Sequence, residues 1–145
     1  MSINEPDRMK AMTARVVVIV LCLAVSVIHV IDQEGIPGTK EPGYLAAGYW
    51  VLEVVAVVAA IALVASRMWL GWLLAAAVAL GPLVGYALSR GIGLPGYTDD
   101  IGNWTEPIGV VSLVNEGLLL VISVAVLAQI VRRRSLATAR VASAH

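Results

Sequence analysis

Long apolar stretches separated by short polar ones organise this chain. No charged residue interrupts the run from residue 16 to Ile31 or the run from Met68 to Ser89. Two further runs, Tyr44 to Ala65 and Ile108 to Val131, are each broken by one acid, Glu53 and Glu116. A helix needs roughly 20 mostly apolar residues to cross the hydrocarbon core of a bilayer. If Arg15 snorkels to the interface, the first run can borrow residues before it. The predicted spans are then about 14–31, 44–65, 68–89 and 108–131, with tails at 1–13 and 132–145. The expected fold is all-α: a single domain formed by a four-helix transmembrane bundle. Ala24-Val25-Ser26 offers a small-x-small site for signal cleavage, but the chain stays apolar through Ile31 and the preceding charges are mixed in sign, so the first run is read as a retained helix.

Composition supports a membrane chain. Of the 145 residues, 59% are hydrophobic and 14% charged, against about 45–50% and about 25% in soluble domains. Zero net charge gives no field that would draw nucleic acid. The single cysteine, Cys22, excludes a disulfide framework. Arg8, Lys10, Arg15, Arg67, Arg132, Arg133, Arg134 and Arg140 would share one side, leaving only Lys40 and Arg90 opposite, among Asp32, Glu34, Glu41, Asp99, Asp100 and Glu106. The positive-inside rule then places both termini in the cytoplasm. The preference for Arg over Lys suits a GC-rich bacterium, and so a bacterial plasma membrane.

Membrane helices associate through small residues and close backbone approach. Gly81-Pro82-Leu83-Val84-Gly85 has GxxxG spacing, with a proline expected to kink the third span. Trp69 and Trp72 suit an interfacial belt. Each outer loop repeats one order of features. The first reads Gly35-Ile36-Pro37-Gly38, Glu41-Pro42, then Glu53; the second reads Gly93-Leu94-Pro95-Gly96, Glu106-Pro107, then Glu116. Two fused helical hairpins related by a pseudo-two-fold axis along the membrane normal would give this order. The prolines suit the first turn of each helix, and the acids before them suit its positive end. The steps from proline to buried acid differ by two residues, about 200° around a helix, so the two acids need not face the axis alike.

Glu53 and Glu116 are the leading candidates for chemistry. Each lies roughly 12–14 Å into its span, where an acid costs about 2.5–3.5 kcal/mol to insert and so faces the bundle interior. If they meet, both cannot ionise cheaply without a cation or proton between them; the alternative is a protonated acid acting as interhelical glue. His29 shares a helix face with Cys22 and Ser26 and could relay protons, bind a metal or haem iron, or be a hydrogen-bonded structural residue. His145 falls on the opposite side, which argues against bis-histidine haem ligation. Ser112, Asn115, Tyr49, Asp32 and Arg90 are placed in support, with an Asp32–Arg90 ion pair expected. The loop with Asp99, Asp100, Asn103, Trp104 and Glu106 could hold a hard cation, or be a solvated, self-capped loop without the EF-hand pattern. No nucleotide, HExxH or nucleophile-elbow motif is present, and neither a cofactor nor a particular metal is identified.

From Gly93 to Gly117 the chain reads Leu-Pro-Gly, Thr-Asp-Asp-Ile-Gly-Asn-Trp-Thr-Glu-Pro and Asn-Glu-Gly. This stretch resembles uncharacterised small four-helix integral membrane proteins of actinobacteria. The resemblance implies a plasma-membrane location and no particular activity. The expected function is a non-enzymatic membrane protein with an outward-facing acidic cavity that binds or passes a cation or proton. The alternatives are an accessory subunit docked on a larger membrane complex or on copies of itself, and a membrane enzyme using the two glutamates as acid and base.

Overall fold

The computed structural model describes residues 5–36, 38, 40, 42–65 and 68–142. Pro37, Glu41, the Ser66-Arg67 turn and His145 therefore lie outside the described residues, as does the side chain of Arg140. Four helices and no strands are present among those described: α1 (Glu5–Asp32), α2 (Gly43–Val64), α3 (Met68–Gly91) and α4 (Pro107–Ala142). All four are long and apolar enough to cross a membrane. α1 and α4 run well past the predicted spans, into both sequence-predicted tails. At 1.5 Å per residue the 36 residues of α4 extend about 54 Å, against about 30 Å of hydrocarbon.

The helices pack in a ring, each against its chain neighbours and α4 back against α1. α1 and α3 barely touch across the ring, and α2 and α4 do not. The two ends differ. At the end where α2 turns into α3, small side chains let the helices close. Ala56, Ala59 and Ala60 of α2 and Ala75 and Ala79 of α3 are buried together with Val18, Cys22, Val25, Leu63, Trp72 and Leu119. A Cβ on Gly71 would come within 2.8 Å of Leu63 Cγ, so glycine is required for that approach. Arg15 donates to the carbonyl of Val64 at 2.7 Å, so rather than only snorkelling it satisfies a free carbonyl at the C-terminus of α2. Trp72 is buried in this core, not in an interfacial belt; Trp69 is half-exposed.

At the loop end the packing is looser. The GxxxG pair was expected to be a contact motif. Instead a Cβ on Gly81 or Gly85 would meet nothing within 4 Å, so among the described residues no neighbouring helix packs on either. Pro82 lies inside α3 between them.

The two loops leave their helices alike in outline. Gly35 and Gly93 both have positive φ, 117° and 80°, and each N–H donates to the carbonyl five residues back, Val30 and Leu88. In the first loop Glu34 is also left-handed and donates to Ile31, completing a Schellman end. In the second, Ile92 is not left-handed, so the glycine alone carries the turn. Pro107 opens α4 as expected, whereas Pro42 sits one position earlier, as the N-cap of α2.

Candidate functional site

The loop half of the bundle encloses a cavity of about 470 Å³. Its floor is apolar, formed by Val55, Ala77 and Val78 above the buried core. All four tyrosines of the chain, Tyr44, Tyr49, Tyr86 and Tyr97, line it. That convergence was invisible in the sequence, because the four rings come from two helices and a loop.

Two triads of like chemistry stand at the rim. In one, Lys40 lies 3.3 Å from Asp32, which also accepts a 2.5 Å hydrogen bond from the Tyr49 hydroxyl. In the other, Arg90 donates to Asp100 at 2.7 Å, and Asp100 accepts from the Tyr97 hydroxyl at 2.9 Å. Arg90 also pairs with Glu106 and lies over the Tyr86 ring, 4.4 Å from its centre. The expected Asp32–Arg90 pair is thus replaced by Asp32–Lys40 and by a fork from Arg90 to Asp100 and Glu106. The reason is reach. Asp100 and Glu106 lie on the loop that leaves α3, and a guanidinium can serve two carboxylates at once. Burial, with the hydrogen bond to Asp100, pushes the Tyr97 phenol up to about 12.

The outer-loop acids therefore divide. Asp100 and Glu106 are held by Arg90. Asp99 and Asn103 are exposed. Trp104 packs edge-on to Tyr86, and its carbonyl accepts from the Tyr86 hydroxyl at 2.7 Å. No group of three or more His, Cys, Asp or Glu among the described residues could hold a metal ion.

The intramembrane candidates also divide. Glu116 is 1% exposed and lines the cavity. Its Oε1 accepts from Ser112 at 2.6 Å and lies 3.6 Å from His29 Nε2. The other ring nitrogen, Nδ1, is 2.9 Å from the Val25 carbonyl. A carbonyl only accepts, so Nδ1 carries a hydrogen. His29 also packs against Tyr49, 5.2 Å between ring centres. Glu53 is buried as predicted, but it does not join them. It lies against α1, where Gln33 donates to its carboxylate at 2.5 Å and Ser26 donates to its backbone carbonyl. The expectation that both glutamates belong to one site is corrected accordingly. The two-residue difference in register turns them to different neighbours, which removes the paired-carboxylate arrangement that an acid–base enzyme would use.

Asn115 donates to the Leu21 carbonyl at 3.2 Å and ties α4 to α1 rather than lining the cavity. Ser123 of α4 is buried with no hydrogen-bond partner among the described residues. Gly109 lets Tyr86 approach, since a Cβ there would come within 2.7 Å of the ring. Sequence reasoning missed Gln33 and Lys40; neither carries a signal beyond being polar beside a span.

No family model, curated protein or solved structure matches this chain.

Proposed function

We propose that the chain is a multi-pass protein of the bacterial plasma membrane, with both termini cytoplasmic, whose outward-facing cavity binds a cation or proton at Glu116 and His29. One observation carries this reading. With Nδ1–H committed to Val25, a neutral His29 presents only a lone pair at Nε2 to the Glu116 carboxylate. Two acceptors face each other across 3.6 Å in a buried site. A proton on either group, or a cation beside them, removes that conflict. Ser112 orients the carboxylate, and Tyr49 supports the imidazole. The apolar core beneath the cavity favours binding over free passage. The loop-end acids and the basic α4 segment at Arg132–Arg134 support the orientation through the positive-inside rule. The shared glycine turns at Gly35 and Gly93 support an origin as two fused hairpins.

The test is an infrared titration of the purified protein. Among the protonated-carboxyl bands that appear on acidification, one should be lost in Glu116→Gln, shift in His29→Gln and persist in Glu53→Gln. A spectrum that Glu116→Gln leaves unchanged rules the reading out.

A further inference from the structure

We infer that the cavity takes a hydrophobic monovalent organic cation, such as a quaternary or protonated aryl-alkyl amine, with its charge at Glu116 and its apolar body between α2 and α3. This rests on the reading of Glu116 and His29 above and names the ligand class.

The charges in the cavity select the sign. Lys40 is matched by Asp32, and Arg90 by Asp100 and Glu106. No cation in the lining is left over for an anion. Among the described residues the one ion-pairing partner in reach of Glu116 is His29, at 3.6 Å, and a neutral imidazole leaves the carboxylate's charge unmatched. The lining itself carries two cations, Lys40 and Arg90, against three carboxylates, Asp32, Asp100 and Glu116, so its surplus is one negative charge, which a cation complements.

The donor set argues against an inorganic ion. A hard divalent cation takes about six to eight oxygens, and no suitable group of three acidic or histidine ligands exists among the described residues. The volume also exceeds an ion's need. About 470 Å³ falls within the roughly 300–1,000 Å³ of organic-ligand sites. The walls match an apolar cation, because aromatic faces attract cations without binding their hydration water. Two of the four tyrosine rings already do so, with Lys40 over Tyr49 and Arg90 over Tyr86.

The glycines give the body of the ligand a place. Gly48 on α2 and Gly81 and Gly85 on α3 all line the cavity, and a Cβ on any of them would meet nothing within 4 Å. α2 and α3 close tightly at Leu63 and Gly71 and leave free space here. A ligand dissolved in the lipid could enter sideways through that gap.

The experiment compares benzyltrimethylammonium with its uncharged isostere neopentylbenzene, by calorimetry on the purified full chain. The cation should bind saturably and at least about tenfold tighter than the isostere, and Glu116→Gln should remove that preference. A Cβ at Gly81 meets nothing within 4 Å, so Gly81→Leu starts into open space; it should fold and, by occupying the gap, lose binding, and this variant decides the matter if Glu116→Gln does not fold. Equal binding of cation and isostere overturns the inference, as does unchanged binding in folded Gly81→Leu. If the Glu116 infrared band is present but the cation does not bind, the ligand class fails and the proton reading stands. If Glu116→Gln leaves the infrared spectrum unchanged, the proposed function fails by itself.

Discussion

Replacing Arg90 with Met should destabilise the loop end, by an amount its surroundings set. The guanidinium side chain is 11% exposed and serves Asp100, 17% exposed, and Glu106, 31% exposed. Removing one partner of a fully buried pair costs about 3–5 kcal/mol, because the other charge stays buried alone. Both carboxylates keep some access to water, and Asp100 keeps its bond from Tyr97. The expected loss is therefore smaller, about 2–3 kcal/mol. Methionine keeps an unbranched apolar stem, so the loss reports the ion pairs and the guanidinium contact with the Tyr86 ring rather than the stem's own packing. Equilibrium unfolding in mixed micelles, followed by tryptophan fluorescence, measures it. The triple change Arg90→Met/Asp100→Asn/Glu106→Gln should recover most of the loss, since no unpaired charge remains. A single-variant loss below about 0.5 kcal/mol, or a triple variant no more stable than the single, refutes the reasoning.

Gly109→Ala should cost about 1–3 kcal/mol in the same assay, because its Cβ meets the Tyr86 ring at 2.7 Å, whereas Gly117→Ala, with nothing within 4 Å, should be neutral or stabilising. Tyr97 should titrate near pH 12 by ultraviolet difference absorbance, and Asp100→Asn should bring it down. Its folded pKa is raised, so the stability it contributes is full below the ordinary phenol pKa, about 10, and is lost as pH climbs through about 12. Asn115→Leu should loosen α4 from α1 by about 1 kcal/mol, read by unfolding, since it removes the donor to Leu21.

How much was legible from sequence follows from what each feature depends on. The four helices depend on runs of apolar residues, so they were read with ends within a few residues wherever a loop follows the run. The helical extensions of α1 and α4 are polar and carry no such signal. Burial of Glu53 and Glu116 followed from the cost of an acid in hydrocarbon. Their neighbours did not, because facing depends on rotation about each helix, and a two-residue offset is enough to separate them. Arg90 was expected to pair with Asp32, but a charge takes the carboxylates within reach, and those came from its own loop. The glycines at 81 and 85 matched a contact motif. Spacing alone does not say whether a neighbour arrives, and here the gap they leave is the useful feature.

The ring of helices without a diagonal has a mechanical consequence. A frame of four rods joined only at neighbouring sides is a linkage: it shears unless something braces it. At the core end the brace is the interlocked alanine packing around Trp72 and Leu63. At the loop end it is the polar lacing of Lys40 to Asp32, Arg90 to Asp100 and Glu106, and Tyr44 at the start of α2 to the Pro95 carbonyl of the second loop. One end is therefore held by apolar packing that salt leaves alone, and the other by ion pairs that salt screens. The cavity is lined by residues of the second kind, Asp32, Lys40, Arg90 and Asp100.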